Sequence, residues 1–326
     1  MDIFNLAFWS FIATIGGIYA IFALGLYAQF SLAGLPNFGH VAFMAVSSYA
    51  MAILVIRYSV PLPVGVVGGL IAAVVLGLVI GIPSLRLRSD YLAIATVAGG
   101  EIIRYLAMNF PELTGGPIGS IGLLGPGDIA MYATGWQSGI ADLTRRTEAL
   151  LGFQIGRDGF TAVLIWALVL VLIWVFWLLE SSPWGRVMKA IREDEVAATA
   201  VGKNVFLYKV QALTIGAVLG GGSGILLALQ IGVFSPDDFL PDITFYAYLI
   251  LILGGMNRVW AIPVGAILFS LLYSGTRFLN FYPLSLFDSG SRAFLRLFLV
   301  GLILVLFMAI RPQGILGNKK ELLLEK

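Results

Sequence analysis

Long apolar runs separated by short polar breaks dominate this chain. A membrane-crossing helix needs about 20 predominantly apolar residues. Runs that meet or approach that length fall at residues 6–28, 40–56, 63–82, 91–108, 160–179, 206–229, 243–256, 261–279 and 294–310. The first, third, fifth, sixth and last are the clearest. Polar residues interrupt the second and fourth, and the seventh is short enough to be a broken or tilted helix. The pattern predicts an all-α polytopic membrane protein, a single domain over residues 1–326. It should be a bundle of about nine transmembrane helices (roughly eight to ten) with re-entrant or broken segments.

Composition agrees. Of 326 residues, 59% are hydrophobic and only 12% charged, and the mean hydropathy is +0.95. Charged residues make up about a quarter of an ordinary soluble domain, so membrane lipid must cover the apolar surface. The chain has no cysteine, which excludes disulfides and thiolate metal sites. The opening MDIFNLAFWS carries no basic stretch and no small-residue cleavage site, so it reads as the start of a span.

Charge placement gives an orientation. Arg86, Arg88, the group from Arg186 to Lys209, Arg258, Arg311, Lys319 and Lys320 share one side of a nine-span layout. The excess of Lys and Arg marks that side as cytosolic. The N-terminus, a long loop at 109–158 and the acidic SPDDFLPD at 235–242 then lie outside, while Arg57, Arg277 and Arg292 run against the bias. Within the long loop, Trp136, Ile140, Leu143 and Leu150 recur at helical spacing among Arg145, Arg146 and Glu148. That predicts an interfacial helix on the outer surface, serving as an anchor or as a docking site.

Little in the chain suits bond-making chemistry. His40 is the single histidine, so a catalytic triad or a multi-histidine metal site would depend on it alone. The nearest approach to a phosphate-binding loop, Gly202-Lys203-Asn204, lacks the hydroxyl residue that would hold magnesium. The expectation is a chain without catalytic residues, metal or bound cofactor of its own, and without a nucleic-acid partner. Glu101 and Arg104 stand three apart on one face of the fourth span, either as a mutually neutralising pair or as a functional site. Gly34, Pro36 and Gly39 make the stretch Ser31–His40 irregular or re-entrant. There Asn37 and His40 either face a pathway or knit the bundle together. The turn Leu113–Gly119, with Thr114, Gly115 and Gly116, reads as rigid and exposed; it either caps an outer cavity or opens the loop. Gly216, Gly220 and Gly224 form a small-residue stripe suited to close helix packing.

The one charged stretch between long apolar runs is Ser182–Lys203, which contains Arg186, Lys189, Arg192 and Lys203 beside Glu193, Asp194 and Glu195. Pro183 suits an early helical position. Arg192 and Glu195 are one turn apart, and Val187, Ile191 and Ala198 make a modest apolar face beside Ala190, Ala197 and Gly202. Such an element is either a solvated loop helix or a helix that fits a groove in another protein.

The residues then carry a resemblance. Glu195-Val-Ala-Ala198 followed by Gly202 resembles the signature loop of ABC-importer permeases, and SPWGRVMKAIREDEVAATAVGKNVFLYK is similar to the cytosolic loop of the branched-chain amino-acid permease family, of the LivM type. LRLRSDYLAIATVAGGEIIR (85–104), LTGGPIG (113–119), Ser235-Pro236, LGGMNRVWAIPVGA (253–266) and RPQGILG (311–317) follow in the family's order. The resemblance therefore runs over nearly the whole chain. It departs at Ser89 and Ile118, where the family usually has Gly and Asn, and LPNFGH (35–40) resembles the sister LivH type as much as LivM.

The resemblance implies an importer in a prokaryotic plasma (inner) membrane. Its permeases are paired as a LivM/LivH-type heterodimer or two copies. Two LivG/LivF-type ATPase subunits hold ATP and magnesium, and an extracytoplasmic binding protein delivers neutral or branched-chain amino acids, or alternatively urea or short amides. It makes 183–204 the cytosolic coupling-helix loop, with the helix over 184–202. Arg186, Lys189, Arg192, Glu193, Glu195, Ala197, Ala198 and Gly202 would then be its contact or orientation residues. An ion-coupled secondary transporter is the alternative class, with Glu101 as its coupling carboxylate.

Overall fold

The computed structural model describes residues 6–123, 131–152, 155–273, 289–311 and 314–317. All regular structure among the described residues is helical. Helix α1 (Leu6–Leu26) runs directly into a π-helical turn at Tyr27–Leu32; α2 (Val41–Tyr58), α3 (Leu62–Ser84), α4 (Ser89–Asn109) and the single turn α5 (Pro111–Thr114) follow. Beyond a 3₁₀ segment at Gly116–Gly122 come α6 (Met131–Leu151), α7 (Arg157–Ser181), the short α8 (Pro183–Glu193) and α9 (Glu195–Ala200), and the long α10 (Val205–Ile231). A 3₁₀ turn at Pro236–Phe239 leads into α11 (Asp242–Gly254), and another at Val259–Ala261 into α12 (Ile262–Tyr273); α13 (Ser289–Ile310) comes last.

The apolar helices sort into a centre and a lipid-facing shell. The most apolar windows of α1, α10 and α2 are 83%, 72% and 67% buried, against 33%, 28% and 17% for α3, α7 and α4. The outer helices turn Val64, Ile71 and Val75, Ile94 and Ile102, and Trp174 and Trp177 outward, an apolar coat suited to lipid. The central helices meet through small residues. A Cβ on Gly224 would run into the Met44 backbone of α2, and one on Gly216 into the side chain of Gln29. Buried serines secure the same seam, as where the Ser47 hydroxyl donates to the Gly221 carbonyl at 2.7 Å.

The expected count of about nine spans is not reproduced. Among the described residues six helices are long and apolar enough to cross a membrane, or up to seven if one bent pair is counted. The seventh and eighth expected spans are the arms of that pair, Pro236–Gly254 and Val259–Tyr273, bent by 105°. Helices of 13 and 12 residues extend only about 18–20 Å, well short of a hydrocarbon core about 30 Å thick. They close on each other through glycine: a Cβ on Gly265 would meet the Ile250 carbonyl, and one on Gly254 would meet Ala261. The ninth expected span falls on α13. Part of the expected span 261–279, with Arg277, lies outside the described residues, as do Lys319, Lys320 and the side chain of Arg292.

The segment 109–158 is structured wherever it is described. The expected interfacial helix is α6, and it buries Ile140 and Thr144 while packing on α7 and α10. The turn at 114–116 is buried rather than exposed. Thr114 donates to the carbonyls of Ala107 (2.6 Å) and Phe110 (2.8 Å). Ser120 and Phe234 exchange two hydrogen bonds, Ser120 N–H to the Phe234 carbonyl and Phe234 N–H to Ser120 Oγ. Gly119 has φ +66° and lies so close to the Phe234–Ser235 backbone that no side chain fits. One end of the molecule therefore carries 111–122 and 234–239, and the other carries α8 and α9.

Candidate functional site

The charged stretch does not form one helix over 184–202. It forms two, α8 and α9, because Asp194 is extended (φ −153°, ψ 107°) and turns its carboxylate onto the start of α9, accepting from Val196 N–H at 2.8 Å and Ala197 N–H at 3.0 Å. An aspartate in that position satisfies otherwise unpaired amides. At the start of α8 the Ser182 hydroxyl accepts from Gly185 N–H. Gly202, at φ +78°, follows α9 in a conformation that favours glycine. Gly185, Met188, Ile191 and Ala198 are buried against the bundle, Val187 is half-buried, and Ala190 and Ala197 face outward.

What holds this element is a set of polar ties to four separate parts of the bundle. Trp184 Nε1 donates to Gln211 of α10 at 2.8 Å. Lys189 pairs with Glu180 of α7 at 2.6 Å, and the other oxygen of Glu180 accepts from Tyr27 at 3.2 Å. Arg192 reaches inward, donating to the Ser31 carbonyl at 2.8 Å and to Asn257 Oδ1 at 3.2 Å, with Glu193 beside it. Glu195 forms an ion pair with Lys209 of α10, whose side chain is 11% exposed. Gly34, at φ +68°, packs directly on the Arg192 stem. Arg192 and Glu195, adjacent on the sequence pattern, thus have separate partners. Among the described residues the Arg186 side chain bonds only to the Ser181 carbonyl close by. Val196 on the outward face of α9 and Val201 just after it are 79% and 73% exposed.

Above Arg192 lies the π-helical turn, and its polar groups continue the chain of contacts. Asn37 Nδ2 donates to Gln29 Oε1 at 2.9 Å, and Gln29 Nε2 donates to the Leu213 carbonyl at 3.3 Å. Asn37 Oδ1 accepts from Gly39 N–H. A six-residue π turn with five residues buried is an unusual backbone choice, and such turns often occur at functional positions. His40 is fully buried, 4.7 Å from Phe22 and 5.4 Å from Phe43 between ring centroids, and neither ring nitrogen has a hydrogen-bond partner among the described residues. Gly25 and Gly220 leave room for its ring.

Glu101 and Arg104 form the expected pair, with Arg104 Nε and Nη2 on the two carboxylate oxygens at 2.8–3.2 Å. Sequence spacing did not indicate a third member: Arg104 also pairs with Asp237 at 3.2 Å, tying α4 to the 234–239 turn. The structure thus keeps Glu101 and Arg104, with Thr114–Gly116, at the end of the bundle away from α8, and places Asn37 and His40 between the two ends.

Comparison with known proteins gives this geometry a family. The sequence profile of the branched-chain amino acid transport system / permease component family matches residues 8–308. The chain is 34% identical over 94% of its length to the high-affinity branched-chain amino acid transport system permease protein LivM of Escherichia coli (strain K12), covering 69% of that protein. It is 33% identical over the same shares to LivM of Salmonella typhimurium. It is 22% identical over 93% of its length to a probable LivM of Methanocaldococcus jannaschii, covering 91% of it. No solved structure matches the chain significantly. The chain belongs to the branched-chain amino acid transport permease family, as a multi-pass membrane protein.

Proposed function

We propose that this permease is one of two membrane subunits of an ATP-driven importer of branched-chain and other neutral amino acids. Its partners in this reading are a second permease (a LivH-type sister or another copy), two cytosolic ATPases that hold ATP and magnesium, and an extracytoplasmic binding protein. The α8–α9 end faces the cytosol, and α8–α9 is the coupling element. Residues 109–158 face outside.

The observation that carries the proposal is the construction of α8–α9. Its apolar side is buried, its side chains are tied to α7, α10, the π-helical turn and the 255–258 loop, and its far side, with Val196, Val201 and exposed charges, has no partner among the described residues. A solvated loop helix needs no such anchoring. An element pushed by another protein does, because displacement passes on only through contacts that hold. Lys189, Arg192 and Glu195 are the anchors. Arg186, Glu193, Ala197 and the exposed valines face the ATPase, and Ala198 and Gly202 shape the element.

The alternative of ion-coupled transport relied on Glu101, and that carboxylate is occupied on both oxygens by Arg104. Leucine uptake into proteoliposomes carrying the assembled importer tests the proposal. Uptake should require ATP inside and should be competed by other neutral amino acids. Uptake driven by an ion gradient without ATPase subunits would refute it, and competition by urea but not by leucine, alanine or proline would replace its substrate.

A further inference from the structure

At the end of the bundle opposite α8–α9, a cavity of about 440 Å³ opens between α1, α10, α11 and α12. That volume lies in the range of small-ligand sites, roughly 300–1,000 Å³. Three carboxylates, Asp237, Asp238 and Asp242, stand on its rim, and nothing among the described residues neutralises them as a set. Arg104 touches Asp237 but is shared with Glu101. Asp238 accepts only from the neutral Ser235 amide and hydroxyl. Asp242 has neither an ion-pair nor a hydrogen-bond partner among the described residues. A rim with three uncompensated or part-compensated carboxylates attracts a cation and repels an anion.

The interior adds an independent indication. Tyr19, in the middle of α1, lines the cavity. It is only 8% exposed, yet its hydroxyl has no hydrogen-bond partner among the described residues. Buried tyrosine hydroxyls ordinarily find one. The rings of Tyr246 and Tyr273, 5.0 Å apart, line the same space, and aromatic faces favour a cationic group at short range. Ile15, Leu227, Ile231 and Ile243 supply an aliphatic wall. Carboxylates, aromatic rings and an unpartnered hydroxyl beside branched aliphatic side chains describe a complementary ligand.

We infer that this cavity binds a primary ammonium group carried on a small branched aliphatic body, with the ammonium at the Asp237–Asp238–Asp242 rim and the aliphatic part against the isoleucine and leucine wall. The inference deepens the proposed transport of neutral amino acids and rests on it for the identity of the natural ligand. The cavity would be an entry station on the extracytoplasmic side, favouring the ammonium end of the zwitterion without a counterpart for its carboxylate.

Three probes of nearly equal shape test it: 3-methylbutylamine, leucine and 4-methylpentanoate, titrated by calorimetry against the full chain in phosphatidylcholine nanodiscs. The amine should bind best, leucine more weakly, and the acid not measurably. Asp242→Asn should weaken the amine about tenfold, and Tyr19→Phe should weaken it less. Both should leave the melting temperature in place, since neither residue is hydrogen-bonded among the described residues. Adding phosphatidylethanolamine separates the two sources of an ammonium group: a fall in amine affinity assigns the site to the lipid headgroup, and no change assigns it to the soluble ligand. Binding of the acid as strong as that of the amine, or amine affinity untouched by Asp242→Asn, overturns the inference and leaves the importer reading intact. Conversely, carboxylate-dependent amine binding in a protein whose assembled importer takes up no leucine keeps the cavity and removes the proposed substrate.

Discussion

The two ends of this bundle treat their charges in opposite ways. At the α8–α9 end, Lys189, Arg192 and Glu195 each reach a partner on a different element, so the charges are used up in holding one small piece of backbone against the bundle. At the other end, Asp242 has no such partner among the described residues and Asp237 shares an arginine with Glu101, so the charges face a cavity. Fully matched charges fix geometry, whereas unmatched ones leave a field for something else to answer. In the proposed reading one end is pushed and the other occupied, and the glycine-packed centre of α1, α2 and α10 lies between them.

The largest effect should come from reversing charges at the matched end. Arg192→Glu with Glu195→Lys removes the tie to Ser31 and Asn257 and sets two ammonium groups against each other at Lys209. ATP-driven uptake in proteoliposomes should be lost and ATPase subunits should no longer co-purify. Retained co-purification would count against the anchoring role. Next, Gly224→Ala forces a methyl group against the Met44 backbone. Overpacking of this kind costs about 1–3 kcal/mol, read as a lower melting temperature by thermal-shift assay. Glu195→Gln, which removes one charge beside the nearly buried Lys209, should cost less, about 1–2 kcal/mol, since the carboxylate side chain is 54% exposed. The smallest effect on stability belongs to the unmatched end: Asp242→Asn should change it by no more than about 0.5 kcal/mol. A large loss there would erase the contrast between the ends.

Much of this arrangement can be read before folding, and the parts that cannot share a physical reason. Membrane spans are legible because burial in lipid is a property of a single run of residues, and α1, α3, α7 and α10 fall where their runs predict. The bent pair α11–α12 is not, because each arm looks like a span by itself. Only the long-range fit of Gly265 against Ile250 turns the two into a hairpin. The location of the charged element is legible from its polarity. Its break at Asp194 was available in principle, as an aspartate ahead of a helix-forming run. The partners of Arg192 were not, since Ser31 lies 161 residues away in sequence. The acidic SPDDFLPD is visible as a cluster, but the cavity beside it depends on Tyr19 and Tyr273 arriving from α1 and α12. Local sequence reports what each helix is, and the packing of distant glycines and polar groups decides what the helices build together.

The central claim is that the outward face of α9 meets an ATPase, and the absence of cysteine from the chain makes a single-cysteine test clean. Val201→Cys at the end of α9 and Val64→Cys on the outward side of α3 are both at well-exposed positions, so each variant can be treated with a short bifunctional thiol–amine reagent in the assembled importer. The account predicts an adduct of permease and ATPase subunit from Val201→Cys, altered in yield by ATP, and none from Val64→Cys. An ATPase adduct that forms equally from both positions, or from neither while the complex remains assembled, would contradict it.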